Sequence, residues 1–149
     1  MSETGTRITA LGPVSITETD GMISSLSIGA AYGGRGNRVI DEAFRQLEEY
    51  LDGKRRRFDI GLRPVGTDFQ KDVWSALVRI GYGKTVSYSD LASLSGHPGA
   101  CRAVGCAMKN NPIPIFIPCH RVVRSDGAIG GFSLGTELKE RLLRMEGVL

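Results

Sequence analysis

Long apolar runs are missing from this 149-residue chain. None approaches the roughly 20 residues that a bilayer-spanning helix needs, which excludes such a helix. The opening stretch MSETGTRITALG has no basic start followed by an apolar block. No secretion signal is expected from it, and a cytoplasmic protein is. Cysteine is scarce: there are 3, an odd number, none in a C-x-x-C pair. That argues against a disulfide framework and against a structural zinc site, so no metal is expected. There are only 2 histidines and 1 tryptophan. Internal repeats and low-complexity tracts are absent.

What remains is ordinary globular material. Apolar residues make up 41% and charged residues 23% of the chain, enough to bury a core without staples. The net charge is +3, but it is unevenly spread. Residues 1–53 carry four basic and eight acidic side chains, and residues 54–149 carry fifteen and eight, so −4 stands against +7. A basic second half is suited to a polyanion; surface scatter explains the same numbers.

The first half reads as α+β. RITALGPVSITETDGMISSLSIGAA alternates β-prone pieces with breaks at Gly12-Pro13 and Asp20-Gly21, so about three antiparallel strands are expected. NRVIDEAFRQLEEYLDG puts Val39, Ala43, Phe44, Leu47 and Leu51 on one helical stripe, ended by Gly53. RRRFDIGLRP reads as a further short strand ending at Pro64. The boundary falls in LRPVG, giving an N-terminal lobe over 1–63 and a second domain over 64–149.

The second half reads as helical. Thr67 is placed to cap a helix, with Gln70 three residues on. Phe69, Val73, Leu77 and Ile80 form its buried face, and Gly81 ends it. TVSYSDLASLSG gives a short helix capped by Ser87 or Ser89, with Leu91 and Leu94 inward. GHPG then leads into ACRAVGCAMKNN. Short helix, tight turn and short helix make a helix-turn-helix. The second of this pair is bare of large side chains, and a glycine in a helix interior costs about 1 kcal/mol. Such a helix packs closely on another helix or enters something rigid, such as a DNA groove.

One stretch holds the chemistry. In PIPIFIPCHRVVRSDG, Cys119 stands directly against His120. Cysteine beside histidine supplies a nucleophile and a base. A small buried core residue beside a histidine reads the same way, and the pair alone does not choose.

NPIPIFIPCHRVV closely resembles the active-site signature of the O6-alkylguanine-DNA alkyltransferases, in which an Asn-Pro segment leads to a Pro-Cys-His-Arg-Val core. GTDFQKDVWSALVRIGYGKTVSYSDLASLSGHPGACRAVGCAMKNNP and SDGAIGGFSLGTELKERLLRMEG resemble the same family, so the likeness spans about residues 66–147. It implies an α+β chain: a small N-terminal antiparallel sheet plus helix, ribonuclease-H-like in the family, then a helical domain with a winged helix-turn-helix and an active-site cysteine. It implies DNA repair by direct reversal. The alkyl group of O6-alkylguanine, and also of O4-alkylthymine, passes irreversibly to Cys119, so each molecule is spent in one turnover as a methylated-DNA–protein-cysteine S-methyltransferase. No cofactor is implied.

The family's roles map onto single positions. Cys119 is the nucleophile, and His120 is the base acting through a water. Glu146 orients it, Asn111 ties the turn before the cysteine, and Tyr88 serves the departing base. The partner implied is double-stranded DNA, entered from the minor groove by a monomer, with the alkylguanine flipped out. Arg102 matches the arginine that props the gap; Tyr88, Ser89, His97, Arg121 and Ser125 match DNA-contacting positions. Val122, Phe132 and Ser133 match the wall of the base pocket. Phe132 departs from the tyrosine of the human-type enzymes. Cys101 and Cys106 read as small packing residues. A winged-helix regulator explains the helix-turn-helix without the Cys-His-Glu set. A Cys-His hydrolase explains the pair without the bare helix, and a non-catalytic alkyltransferase-like protein lacks the cysteine.

Overall fold

The computed structural model describes residues 2–29, 33–132 and 134–149. The chain divides into two compact units, Met1–Val65 and Gly66–Leu149.

The first unit begins with an antiparallel meander of β1 (Ser2–Thr9), β2 (Gly12–Thr19) and β3 (Met22–Ile28), in the order β1-β2-β3. Pairing of Thr9 with Gly12 leaves Ala10-Leu11 as the first turn, so Gly12-Pro13 opens β2 instead of breaking the chain. The second turn is Asp20-Gly21, with φ of 52° and 87°; this left-handed pair is what a two-residue hairpin of native twist requires. Helix α1 (Arg38–Leu51) is capped by the Asn37 side chain, which accepts from Ile40 N at 3.1 Å. Asn37 Nδ2 donates to Glu18 Oε1 at 2.6 Å, and Glu18 Oε2 accepts from Gly21 N at 2.7 Å. One buried carboxylate thus joins the hairpin turn to the start of the helix.

Helix α1 buries Ile40, Ala43, Phe44, Leu47 and Tyr50, while Val14, Ile16, Ile23 and Leu26 are buried on the sheet. Val39 and Leu51 are half-buried at the stripe's edges. The strand expected over 55–64 does not form: only an isolated bridge joins Ile23 and Leu62. The reason is a side chain. Gln46 Oε1 accepts from Asp59 N at 2.8 Å, and its Nε2 donates to Asp59 O at 3.0 Å, so this backbone is satisfied without a ladder. The basic run 54–57 belongs to this unit. Residues 1–65 therefore carry nine basic and nine acidic side chains, and residues 66–149 ten and seven, or 0 and +3. The acidic-half, basic-half contrast follows from cutting the chain at 53 and does not survive the structural boundary.

The second unit begins with α2 (Asp68–Val78), opened by a full capping box between Thr67 and Gln70. Its buried face is Val73, Trp74, Ala76 and Leu77. Phe69 and Ile80 are only half-buried, and the helix ends at Val78, short of Gly81. Trp74 Nε1 donates to Ala107 O at 2.9 Å, fastening α2 to α4. Ser87 caps α3 (Tyr88–Leu94) by accepting from Asp90 N at 3.0 Å. Leu91 and Ala92 are buried, but Leu94 is 55% exposed, one turn beyond the packed face. After the turn comes α4 (Cys101–Lys109), whose buried residues are Val104, Ala107 and Met108. A parallel pair, β4 (Val86–Ser87) and β5 (Val122–Val123), brings the start of α3 beside the segment that follows Cys119. Residues 124–128 make a tight turn, and α5 (Thr136–Met145) closes the unit.

Candidate active site

Cys119 opens a 3₁₀ turn, Cys119–Arg121. The segment ahead of it, Ile113, Ile115, Phe116 and Ile117, is buried. Asn111 shapes that segment from both ends: Oδ1 accepts from Ile113 N at 3.0 Å, and Nδ2 donates to Ile117 O at 2.9 Å. Ile117 N reaches back to Ile113 O at 2.9 Å, and Cys119 N to Ile117 O at 2.7 Å. Ile115 sits at φ 75°, a left-handed conformation that a β-branched residue occupies only under constraint. Hydrogen bonds from Asn111 and within the backbone hold the turn, and its apolar side chains are buried.

Cys119 is 2% exposed, yet it lines a cavity of about 420 Å³ with Tyr88, Gly105, Met108, Lys109, Gly131 and Phe132. All of these belong to the second unit. Burial pushes the thiol up to about 11, against the pull of the Asn111 side chain, the backbone and the Lys139 charge. The resting sulfur is therefore a thiol at neutral pH, and its proton needs a taker at the moment of attack.

His120 is fully buried, and burial pulls its pKa below the ordinary value despite the neighbouring carboxylate. The imidazole is accordingly neutral. Its Nε2 lies 2.7 Å from Glu146 Oε2. Glu146, at the C-cap of α5, also accepts from Arg121 Nε at 2.9 Å, Arg121 Nη2 at 3.1 Å and Gly83 N at 3.0 Å. A carboxylate so surrounded stays ionised and only accepts. Nε2 must carry the imidazole proton, which leaves the lone pair on Nδ1.

That network corrects the placement of Arg121 among DNA contacts. Its guanidinium is buried, spent on Glu146, on Ile80 O at 2.6 Å and over the Tyr82 ring at 6.0 Å. Arg121 supports the carboxylate. Val122 is also corrected: its side chain is fully buried and lies outside the cavity lining. Phe132 lines the cavity, and Ser133 lies outside the described residues. Tyr88, first residue of α3, is half-buried on the cavity, and burial holds its hydroxyl above its ordinary pKa.

Arg102, Ser89 and Ser125 are exposed, on α4, α3 and the 124–128 turn. His97 is pinned to α2, with Nε2 2.9 Å from Asp72 Oδ2 and an edge contact to the Phe69 ring at 4.7 Å. Cys101 and Cys106 are exposed, so they are not packing residues. An added Cβ at Gly105 would meet nothing within 4 Å, so close helix packing does not account for this glycine.

Lys139 was not anticipated. It is fully buried, its ammonium donating to Val122 O at 2.6 Å and Gly131 O at 3.2 Å, and burial lowers its pKa to about 8. The signal was in the spacing. Lys139, Leu142, Leu143 and Glu146 fall at i, i+3, i+4 and i+7, one face of α5, and all four are buried. Among the described residues no three His, Cys, Asp or Glu side chains converge as a metal site would need.

The chain is similar to known proteins. The family profile described as "6-O-methylguanine DNA methyltransferase, DNA binding domain" matches residues 68–148. A methylated-DNA–protein-cysteine methyltransferase of Methanosarcina barkeri is 54% identical over 109 residues, 73% of this chain and 69% of that one. The constitutive enzyme of that name from Bacillus subtilis is 48% identical over 110 residues, 73% of this chain and 67% of its own. The crystal structure of Mycobacterium tuberculosis OGT in complex with DNA superposes with a TM-score of 0.88 at 36% identity, covering 96% of this chain and 91% of that one. With a profile matching more than half of its length and relatives this similar across most of theirs, the chain belongs to the 6-O-methylguanine DNA methyltransferase family.

Proposed function

We infer that this protein repairs DNA by direct reversal, moving the alkyl group of O6-alkylguanine onto Cys119. Alkyl transfer from DNA to a protein cysteine is the activity carried in the names of its relatives. The observation that carries the assignment to this sulfur is its position. Cys119 lines a cavity in the unit that holds the helix-turn-helix, next to a neutral histidine with an ionised carboxylate behind it.

The step runs as follows. His120 Nδ1 takes the thiol proton through a water, and Glu146 steadies the imidazolium that forms. Sulfur attacks the alkyl carbon in line. The S–C bond forms, the C–O6 bond breaks, and the electron pair leaves with guanine. Tyr88 gives the departing base a proton, and the proton held by His120 returns through water to the tyrosinate, so both side chains end as they began. Guanine and a thioether are the only products, so no cofactor is called for. Nothing in the site reverses a thioether, so each molecule acts once. O4-alkylthymine presents a comparable carbon and is a second substrate.

The base must leave the duplex to reach a sulfur this buried. Exposed Arg102 fills the vacated place, and the bare face of α4 at Gly105 lets the helix lie in the minor groove of double-stranded DNA. Ser89 and Ser125 meet the backbone, and His97 steadies the turn between α3 and α4. The protein acts as a monomer in the cytoplasm; no helix among the described residues is long and apolar enough to cross a membrane.

The test is intact-protein mass spectrometry after incubation with an oligonucleotide bearing O6-methylguanine. One methyl should be gained, mapped to Cys119, and none in Cys119→Ala. No adduct, or an adduct on Cys101 or Cys106, refutes the assignment.

A further inference from the structure

The cavity around Cys119 is bordered by a cation that the transfer step does not use. Lys109, the last residue of α4, lines the cavity and is exposed. Of the other cations, Arg121 is paired with Glu146 and donates to Ile80 O, while Lys139 is fully buried beneath the site, outside the cavity lining, and donates to Val122 O and Gly131 O. Lys109 has no hydrogen-bond or ion-pair partner for its ammonium among the described residues. Among the described residues no carboxylate lines the cavity, and Glu146 is buried and taken up by four donors. Among the described residues that line the space where an O6-substituent is received, Lys109 is the one charged side chain. The remaining walls, Gly105, Met108, Gly131 and Phe132, bring no charge of either sign.

A methyl group makes no use of such a charge. A larger substituent does, because its first carbon must meet the sulfur and everything beyond that carbon has to be housed in the same cavity. We propose that Lys109 is a specificity-determining residue that favours O6-substituents carrying a carboxylate, the carboxymethyl group being the smallest. The inference rests on the alkyl-transfer reading and extends it to a substrate class. The chemistry is unchanged. Sulfur bonds to the methylene carbon, the C–O6 bond breaks, guanine takes the electron pair and a proton, and S-carboxymethylcysteine remains. The ammonium pairs with a carboxylate one bond away from the reacting carbon, where a charge-assisted contact is strongest in a partly water-excluded space.

A second use of Lys109 is a DNA phosphate contact, since Arg102 lies seven residues earlier on the same helix face. The two uses are separated by comparing substituents of equal size. Single-turnover rates are measured on duplexes bearing O6-carboxymethylguanine and the neutral isostere O6-carbamoylmethylguanine, with wild type, Lys109→Gln and Lys109→Glu. In wild type the carboxymethyl duplex should react faster by about three- to tenfold, the range of a partly exposed charged pair. The ratio should fall to about one in Lys109→Gln and invert in Lys109→Glu. A wild-type ratio of one overturns the proposal. So does an equal slowing of both duplexes in Lys109→Gln, the signature of a phosphate contact. An O6-methylguanine duplex is run alongside. If wild type transfers methyl to Cys119 while the ratio is one, only the Lys109 proposal falls; if methyl is not transferred, the alkyl-transfer reading has failed.

Discussion

Replacing Glu146 by glutamine keeps the shape of the site and removes its one buried negative charge. Four donors converge on this carboxylate: His120 Nε2, Arg121 Nε and Nη2, and Gly83 N. A glutamine amide accepts at one end only, so its NH₂ is forced against one of those donors, and the buried Arg121 guanidinium loses its counter-charge. Removing one partner of a buried pair costs about 3–5 kcal/mol, a large share of the roughly 5–15 kcal/mol that holds a domain folded. The variant should therefore unfold at a clearly lower urea concentration. It should also transfer methyl about 10²–10⁴-fold more slowly, the usual worth of a positioned general base. One number alone does not separate a damaged fold from a damaged reaction. The double variant Arg121→Met/Glu146→Gln does. It takes away the orphaned cation, so much of the lost stability should return, while His120 still lacks its carboxylate and transfer stays slow. Should the double variant recover rate together with stability, Glu146 serves only to neutralise Arg121 and the proposed path for the proton is wrong.

Three further outcomes are expected. Arg102→Ala should slow repair in duplex DNA more than reaction with free O6-benzylguanine; equal slowing removes the gap-filling role. Lys139 keeps its proton in the folded protein only to about pH 8, below its ordinary value, so between pH 8 and 10 the unfolded chain binds more protons at this site. Wild type should then gain stability relative to Lys139→Met as pH rises through that window, and a pH-independent difference in urea unfolding contradicts it. At Ile115, with φ 75°, alanine loses the buried side chain and keeps the strain, whereas glycine loses both. Ile115→Gly should be the more stable of the two by about 1 kcal/mol; the ordinary order, alanine above glycine, refutes the strain.

The sequence was most legible where local rules decide. The Thr67 capping box, the Asp20-Gly21 hairpin turn and the helix-turn-helix follow from side chains a few residues apart. It misled where a distant group answered a local need. Residues 55–64 look like a strand until Gln46 binds the backbone of Asp59. Leu94 looks inward because helical period says nothing about how far a neighbouring surface extends. Arg121 looks like a surface cation, since a lone arginine in a motif does not reveal the carboxylate 25 residues away.

By itself the sequence determined one cysteine beside one histidine and a helix stripped of bulk, because these depend on residue identity and short spacing, while the glutamate at the end of the closing helix was implied only by the family resemblance. Only the tertiary structure decided their states. It buried His120 so that it is neutral, ringed Glu146 with four donors so that it is charged, and enclosed Cys119 so that it rests as a thiol. Protonation depends on solvent exclusion and on neighbours that the fold alone brings within hydrogen-bonding distance.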